Sequence, residues 1–367
     1  MKAVFFVTGV GLGDAIRESS NIKEFLSRDK KNKVLVAGYH RSYEFFKDKY
    51  PTIRIAGYNM NGKQLRFTFW RFLVNNYLLP FVWVVLALLM KKNVKKFDPD
   101  LVVTDFEPSG IALAKVMKKK CVVVFGFDPE LYLEYKKMHG VSWLMWLEAY
   151  YLEKVYMQSD AVIISTLFAG GKSYGNYYYV NPIVRATPDD LPGRSALMKE
   201  LKLKKEPILV MLGGSDFGLK LASVVEEVAL ESDEEFMVFG GRRQLPSHKN
   251  VTFIKYTDDF LKYLKICNGL ITLAGQQTLT EGVVFKKPML IFPIQEHIEQ
   301  KLNAYKLKDI AMVADTDDRK KIKEAVLNFL QNREEIRKKV ETLEVKATGS
   351  EQVVDLLSLF SQQQSKR

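Results

Sequence analysis

The sequence predicts an α/β protein of two Rossmann-like domains that face each other across a cleft. The same strand–loop–helix pattern at two places in the chain predicts this fold. Apolar runs at residues 2–8 and 207–212 each lead through a glycine-containing loop into a helical pattern. Between them, YVNPIVRATPDDLPGR (179–194) carries the prolines and turn formers typical of a hinge. A chain of 367 residues is long enough for two cores. We therefore expect a first domain over residues 1–180, a hinge over 181–194, a second domain over 195–348 and a terminal segment over 349–367.

The composition is that of a globular protein in a reducing compartment. Apolar residues make up 47% of the chain and charged residues 27%, which excludes the class of disordered proteins. Cys121 and Cys267 lie in apolar, strand-like contexts without metal-ligand spacing, which favours the cytosol. The run at 2–8 is not expected to be a signal peptide, because it is short and is followed by glycines and charged residues.

Positive charge is concentrated in the first half of the chain. The net charge is +12, and residues 1–180 hold 26 Lys and Arg against 16 Asp and Glu. We expect this half to face an anionic partner such as a lipid headgroup or a lipid phosphate. Nucleic acid ranks lower, because no RNA-binding signature is present.

The first glycine loop contains the first candidate catalytic residue. Gly9, Gly11 and Gly13 permit a tight turn, but their spacing is not the G-x-G-x-x-G of dinucleotide binding, so a nicotinamide enzyme is not expected. Asp14 follows and can accept a proton if its surroundings raise its pKa. The alternative is a helix N-cap bonded to a nearby amide. We expect Gly11, Gly13 and Arg17 to lie on the acceptor side of the cleft.

Two further polar positions follow predicted strands of the first domain. His40 comes just after the strand at 34–38 and either lines the acceptor side or lies on the surface. The strand at 99–104 ends in Asp105 and Glu107, at the end of a parallel strand where α/β sheets place their sites. Glu107 is therefore the second candidate base, and its alternative role is to cap the helix that starts near Pro108.

Two apolar, aromatic segments, 66–96 and 141–157, carry all four tryptophans and have basic neighbours. The unbroken apolar part of the first covers 77–90 and contains Pro80, whereas a spanning helix needs about 20 residues. Aromatic residues with flanking cations favour a position in the lipid interface. The alternative is that both segments are buried helices packed on a sheet.

Residues 269–304 read as strand, loop, helix, strand and helix. The free amides of Gln276, Gln277 and Thr278, at a helix N-terminus, predict a phosphate site. Glu281 would repel a phosphate, so we expect it to accept hydrogen bonds from the two hydroxyls of a ribose. After the second strand, Glu299 and Gln300 are placed to bind a third polyhydroxyl group. The alternatives are a solvated Glu281 and a merely polar helix face at 299–300.

The pattern G-x-x-T-x-x-E from Gly275 to Glu281, a strand ending in proline, and E-Q-x-x-N-A from Glu299 resemble GT-B glycosyltransferases. The likeness is to the MurG-like group, which moves N-acetylglucosamine from UDP onto a polyprenyl-linked acceptor. It implies that Glu281 holds the ribose and that Glu299 and Gln300 touch the donor sugar. It further implies a donor diphosphate beside the Gly213-Gly214-Ser215 loop, a base beside Tyr256, and a terminal helix near 350–360 that crosses back to the first domain.

One position departs from that family. Its first glycine loop usually reads G-x-G-H, with the histidine near the reaction centre, whereas Asp14 stands at the matching position here. The D-F-E-P string at 105–108 also occurs in archaeal transferases that resemble this chain.

The resemblance implies an inverting, metal-independent glycosyltransferase that uses a UDP-sugar such as UDP-N-acetylglucosamine, with no cofactor. Its acceptor would be lipid-linked or membrane-associated, and the protein would be peripheral on the cytoplasmic face of the membrane. Two alternatives stay open: a UDP-sugar epimerase or hydrolase of the same fold, and a non-catalytic nucleotide-sugar-binding protein at the membrane surface.

Overall fold

Two parallel β-sheets, one in each half of the chain, organise the molecule. The computed structural model describes residues 1–58, 65, 67, 69–167, 173–213, 218–240, 250–254 and 257–364. The first sheet has eight strands in the order β3-β2-β1-β4-β5-β6-β8-β7, and only the β7–β8 pair is antiparallel. Its strands are β1 (Lys2–Val7), β2 (Lys33–Gly38), β3 (Thr52–Arg54), β4 (Leu101–Asp105), β5 (Lys120–Phe125), β6 (Ala161–Ser165), β7 (Ser173–Tyr174) and β8 (Tyr177–Val180).

Seven helices connect and cover this first sheet. They are α1 (Gly13–Arg28), α2 (His40–Phe46), α3 (Phe69–Asn76), α4 (Leu79–Phe97), α5 (Pro108–Met117), α6 (Pro129–His139) and α7 (Trp143–Tyr156).

The second sheet has six strands, all parallel, in the order β11-β10-β9-β12-β13-β14. The strands are β9 (Ile208–Met211), β10 (Phe236–Phe239), β11 (Val251–Ile254), β12 (Gly269–Leu273), β13 (Met289–Phe292) and β14 (Met312–Val313). The helices are α8 (Arg194–Glu200), α9 (Leu219–Leu230), α10 (Phe260–Ile266), α11 (Gln276–Val284), α12 (Ile298–Lys306) and α13 (Arg319–Glu341), and a 3-10 turn, Pro188–Asp190, precedes α8.

Both sheets follow the doubly wound strand order, which confirms the predicted pair of Rossmann-like domains. In each sheet the chain reverses its direction of winding between the first and fourth strands, at β1/β4 and at β9/β12. Ligands of open α/β sheets bind beyond the carboxyl ends of the strands at this switch point. The loops after β1, β4, β9 and β12 are therefore where a site is expected.

The central strands could be predicted because helices cover both of their faces. Five consecutive residues of β1, Ala3–Val7, are at most 1% exposed, and all five residues of β12 are buried. A strand buried on both faces reads as a continuous apolar run rather than an alternating one.

The terminal helix α14 (Gly349–Gln364) crosses back to the first domain, as predicted. Val353, Leu357 and Phe360 pack in one core with Phe5 and other residues of β1 and α1. The turn into the helix is tight, because a Cβ on Gly349 would lie 2.1 Å from the carbonyl oxygen of Asn181.

The first sheet extends into the start of the predicted hinge sequence, because β8 pairs parallel with β6. Val180 is buried. The tyrosine run 177–179 forms a strand here because the sheet edge supplies its hydrogen-bond partners.

One segment of the first half of the chain packs into the second domain. Phe67 N donates to Gln295 O at 2.8 Å, and Gln295 N donates to Leu65 O at 2.7 Å. The side chains of Leu65, Phe67 and Phe69 are buried in one core with Val210 and its neighbours. We call these three residues the interdomain clasp.

The predicted apolar segments form helices with one buried and one exposed face. In α4, Trp83 and Met90 are buried, whereas Phe81 and Leu89 are 71% and 68% exposed. Among the described residues, no single helix is long and apolar enough to cross a membrane, and the pair α3 and α4, bent by 45°, meets that test only by combined length and composition.

Candidate active site

The two switch points face each other across a cavity of about 340 Å³. The loop after β1 and the start of α1 line it from the first domain, and the start of α11 lines it from the second. A Cβ on Gly13 would be 3.6 Å from Cβ of Gln277, so the two helix N-termini are in direct contact range. The predicted cleft between domains is therefore present, and it joins the two predicted loops.

Asp14 lies in the first turn of α1 and borders this cavity. Its side chain is 24% exposed, and its Oδ1 accepts a hydrogen bond from Arg17 Nη2 at 2.7 Å. The helix N-cap is Leu12, without a side-chain cap bond, so the alternative role of Asp14 as the N-cap is wrong. The carboxyl group is thus directed to the cleft and to Arg17.

Arg17 connects three elements around the cleft: α1, β4 and α11. Its Nε and Nη2 bind the two carboxylate oxygens of Asp105, at the end of β4, at 2.9 and 2.6 Å. Its Nη1 donates to Oε1 of Gln276, in the second domain, at 2.5 Å. The bidentate contact with a fully buried carboxylate fixes the guanidinium plane and therefore the position of Asp14.

The surroundings of Asp14 favour its protonated form. Burial, with the nearby charges of Asp105 and Glu299, raises the pKa of Asp14 to about 8 against the opposing charge of Arg17. Burial also raises the pKa of Glu299. An aspartate whose pKa lies near neutrality fits the requirement for a general base at physiological pH.

The N-terminus of α11 opens into the cavity from the second domain. Gly275 is its N-cap, and Gln276, Gln277 and Thr278 form the first turn, whose amides have no partner inside the helix. The side chain of Gln276 is already engaged, because its Nε2 donates to the carbonyl oxygen of Ser165 at 2.9 Å. What remains for a ligand is the set of backbone amides and the positive end of the helix dipole.

Glu281 borders the cavity one turn further along α11, and its carboxylate is ion-paired. Arg185, in the predicted hinge, donates from Nε and Nη2 to its two oxygens at 2.8 and 2.9 Å, and Gln277 Nε2 donates to Oε1 at 3.0 Å. A carboxylate has about four acceptor positions, so three are occupied. The expectation of bonds to both ribose hydroxyls therefore needs correction, since one acceptor position is free in this arrangement. The alternative of a solvated Glu281 is also wrong, because the residue is 1% exposed.

Glu299 and Gln300 reach the same cavity from the first turn of α12. Gln300 Oε1 accepts a hydrogen bond from Ile294 N at 3.0 Å, and this bond shapes the loop after β13. Glu299 approaches the first domain closely, because a Cβ on Gly126 would lie 3.1 Å from its Oε1 and 2.9 Å from Oε1 of Gln276.

An ion pair between the two domains, formed by His297 and Glu148, was not predicted. His297, the N-cap of α12, lies 2.9 Å from Oε1 of Glu148 on α7, and Glu148 Oε2 accepts from Ile298 N at 3.1 Å. Burial disfavours the charged imidazole, but Glu148 outweighs this and raises the pKa of His297. The sequence signals of both residues were weak, since Glu148 interrupts an apolar segment and His297 is a loop residue.

Two predicted residues do not take the proposed places. Glu107 is fully buried, caps α5 through Ser109 and does not line the cavity, so its role as the reserve base is not compatible with this geometry. Burial raises its pKa to about 7. His40 is exposed at the start of α2, with φ of 43°, and the neighbouring Arg41 lines the cavity instead.

The remaining glycine positions agree with a lining role. Gly11, Gly13, Gly213 and Gly275 border the cavity. Gly214, Ser215 and Tyr256 lie outside the described residues. Within the described ranges, no group of three or more His, Cys, Asp or Glu side chains has an arrangement that could hold a metal ion.

Comparison with known proteins gives a consistent picture. The family model described as Glycosyl transferase family 1 matches residues 1–333. A glycosyltransferase of Methanosarcina mazei is 24% identical over 335 residues, which cover 83% of this chain and 82% of that protein. Matches to glycosyltransferases of Methanopyrus kandleri and Methanosarcina acetivorans span 38% and 59% of those proteins, less than two thirds of each.

Solved structures with a similar fold include a UDP-glucosyltransferase from Polygonum tinctorium that glucosylates indoxyl. It has a TM-score of 0.70 at 14% identity and covers 98% of this chain and 99% of that one. MurG of Acinetobacter baumannii has a TM-score of 0.58 at 15% identity, with coverage of 98% and 99%. At these identities the likeness shows the fold.

Proposed function

The chain belongs to glycosyl transferase family 1, and we propose that it transfers a sugar from a UDP-sugar to a membrane-associated acceptor, with inversion and without a metal ion. Its fold is GT-B, and it is a glycosyltransferase; the donor, the acceptor and the chemistry are the proposal. UDP-N-acetylglucosamine is the first donor to test, because the pattern from Gly275 to Gln300 resembles the MurG-like group.

The observation that carries the proposal is the position of Asp14 opposite the N-terminus of α11. One side of the cavity offers a carboxyl group with a pKa of about 8, and the other offers free amides at the positive end of a helix. A sugar transfer needs a base for the acceptor hydroxyl and an anion site for the leaving diphosphate, and these two features lie on opposite sides of one cavity.

The proposed reaction is a direct displacement at the anomeric carbon. The acceptor oxygen forms a bond to that carbon as the bond from the carbon to the diphosphate oxygen breaks, and the configuration inverts. Asp14 takes the acceptor proton, and the bonding electrons leave with UDP. The amides of Gln276, Gln277 and Thr278 stabilise the negative charge that develops on the diphosphate.

Glu281 is proposed to hold the ribose together with its partner Arg185. The Polygonum neighbour is a UDP-glucosyltransferase, which supports a UDP-sugar as donor here. Glu299, whose pKa is raised by burial, and Gln300 line the cavity, and we propose that they contact the donor sugar.

The membrane part of the proposal is supported by exposed apolar side chains on α3, α4 and α7. Trp70 is 58% exposed and Trp143 is 64% exposed, and Phe81 and Leu89 add to the same kind of surface. The last turns of α4 carry a cluster of cations: Lys91, Lys92, Lys95 and Lys96. Exposed aromatic residues beside lysines are typical of a helix in an anionic lipid interface, so we propose a peripheral position on the cytoplasmic face.

The donor site is tested by calorimetry with UDP on the Glu281→Ala variant. We expect the affinity to fall by about tenfold or more, because the ribose contact is lost and Arg185 loses its partner. The matched control is Glu335→Ala, an exposed acid on α13. Unchanged UDP affinity in Glu281→Ala would remove the ribose role, and a thermal-shift screen of nucleotide sugars identifies the donor.

A further inference from the structure

Aromatic rings form one wall of the cavity on the side of the first domain. Tyr58, Phe67, Phe69, Phe72, Tyr151 and Tyr156 all line it. Phe72 is the centre of this wall, with ring centroids of Tyr58, Phe69 and Tyr151 at 5.3, 5.6 and 6.3 Å. We call these six residues the aromatic wall. Phe72 and Tyr151 are the partly exposed rings of this wall, and their apolar faces favour an apolar body over a sugar or a peptide.

The aromatic wall also offers hydroxyl groups. Tyr58 and Tyr151 share a hydrogen bond of 3.1 Å between their hydroxyls. Tyr156 is 1% exposed, and its hydroxyl lies within hydrogen-bonding reach of Tyr58. The three tyrosine hydroxyls are therefore donors or acceptors for an oxygen of a bound molecule.

The end of the cavity next to Asp14 disfavours an anion. Asp14, Asp105 and Glu299 lie close enough together to raise the pKa of Asp14 through their charge. The nearby cation, Arg17, is already used in four hydrogen bonds, to Asp105, Asp14 and Gln276. Two more arginines line the cavity: Arg185, which is paired with Glu281 on the donor side, and Arg41, at the start of α2. A phosphate next to the reacting hydroxyl would therefore meet carboxyl groups.

The helices that carry the wall also carry the exposed apolar surface. On α3, Phe69 and Phe72 face the cavity, whereas Trp70 is 58% exposed. On α7, Tyr151 lines the cavity, whereas Trp146 and Tyr150 are exposed and stacked at 5.6 Å. Helices α3 and α7 therefore connect the outer apolar surface, where an apolar chain would lie, to the aromatic wall.

We propose that the acceptor is an uncharged lipid alcohol, whose hydroxyl reacts beside Asp14 and whose proximal apolar part lies against the aromatic wall. This inference rests on the proposed sugar transfer and specifies its acceptor. It differs from an acceptor in which a phosphate group lies between the lipid chain and the reacting hydroxyl. The transfer forms a glycosidic bond between the lipid oxygen and the anomeric carbon, breaks the bond from that carbon to the diphosphate oxygen so that UDP leaves, and gives the hydroxyl proton to Asp14.

The test is transfer of labelled sugar by the full-length protein to matched acceptors in mixed detergent micelles. The neutral acceptors are a diacylglycerol and an isoprenoid alcohol, and the anionic ones are phosphatidylglycerol and an isoprenyl-diphosphate-linked sugar, which also keep free hydroxyls. We expect at least about tenfold higher kcat/KM for a neutral alcohol. Equal or faster transfer to the phosphate-bearing lipids, or transfer only to a small soluble phenol, would overturn the inference.

Two variants on α3 test whether transfer to the neutral alcohol depends on the aromatic wall. Phe72→Glu places a carboxylate in the aromatic wall, and we expect it to lose at least about tenfold in transfer to the neutral alcohol while UDP affinity stays unchanged. Asn75→Glu, at an exposed position of the same helix, is the control and should keep transfer in micelles. Phe72→Leu serves if Phe72→Glu does not fold, and it should raise KM for the alcohol without changing UDP affinity.

Failure of the inference and failure of the proposed function give different results. If a nucleotide sugar binds but no neutral alcohol is glycosylated, the acceptor class is wrong and the donor assignment stands. If no nucleotide sugar binds, the proposed function is wrong. In that case, calorimetry measures the affinity of the protein for a short-chain isoprenoid alcohol without a donor. If the wild type does not bind the alcohol, or binds it no more tightly than Phe72→Glu does, the inference is overturned.

Discussion

At the scale of single residues, Asp14 carries the proposed chemistry because its carboxyl group borders the cavity from the helix that also carries Arg17. We expect Asp14→Asn to lower sugar transfer by about 10² to 10⁴-fold, since the amide cannot accept the acceptor proton. UDP affinity should not change, because the donor groups lie on α11. Glu24→Gln, at a partly exposed position of the same helix, is the control. Full activity of Asp14→Asn in the transfer assay would assign the base role to another group.

The raised pKa of Asp14 also predicts how activity depends on pH. Because the base must be ionised and burial raises its pKa to about 8, kcat/KM should rise with pH and level off above about pH 8. Initial rates between about pH 6 and about pH 9 at saturating donor check this. A flat profile over that range would contradict Asp14 as the titrating base.

The same pKa predicts a change in stability. The folded pKa of Asp14 lies above its unfolded value, so its contribution to the free energy of unfolding is fully present below about pH 4 and is lost as the pH rises to about 8. Asp14→Asn does not titrate and escapes this loss. In thermal melts, the Tm of the variant relative to the wild type should therefore increase from about pH 5 to about pH 9. A constant difference in Tm would show that the carboxyl is not protonated in the folded state.

At the scale of secondary-structure elements, the approach of β5 to α11 and α12 depends on Gly126, which follows β5. Its missing side chain leaves room for Gln276 and Glu299, which a Cβ would meet at 2.9 and 3.1 Å. We expect Gly126→Ala to separate the two domains locally and to lower kcat more than it lowers UDP affinity. Gly193→Ala is the matched control, because a Cβ at Gly193 would meet nothing within 4 Å. Equal kinetics for the two variants would show that this close approach is not needed for transfer.

The elements also show what a sequence of this kind can reveal. The strand–loop–helix unit around α11 was predictable, because β12 is buried on both faces and Gly275 precedes a helical pattern. The partners of its side chains were not. Arg185 binds Glu281 from 96 positions away, and Arg17 binds Asp105 from 88 positions away. The Arg17 pair is set by packing inside the first domain and the Arg185 pair by how the hinge meets α11, and no local propensity or spacing encodes either arrangement. The buried position of Glu107 depends on the same tertiary packing.

At the scale of the whole molecule, three connections hold the two domains around the cavity. The hinge binds α11 through Arg185 and Glu281, α14 returns from the second domain to the core of the first, and the interdomain clasp inserts Leu65, Phe67 and Phe69 into the core of the second. The clasp leads directly into α3, which carries part of the aromatic wall and of the exposed surface. The position of the clasp in the second domain therefore also sets the position of α3, so the acceptor side of the cavity depends on how the two domains close.

The clasp provides a direct test of that coupling. Phe67 is buried against Phe72, with ring centroids 6.1 Å apart, and against His297 at 4.9 Å, so Phe67→Ala leaves a void between the domains. Truncation of a buried phenylalanine costs about 3 to 5 kcal/mol. Because Phe67 packs between the domains, we expect this cost to destabilise the closed position of the two domains rather than the fold of either sheet. We expect a larger radius of gyration in small-angle X-ray scattering, higher KM values for donor and acceptor, and an unchanged circular dichroism spectrum. Tyr77→Ala, 74% exposed between α3 and α4, should change none of these quantities. If Phe67→Ala keeps the radius of gyration and both KM values of the wild type, the domains close without the clasp, and formation of the aromatic wall does not depend on closure.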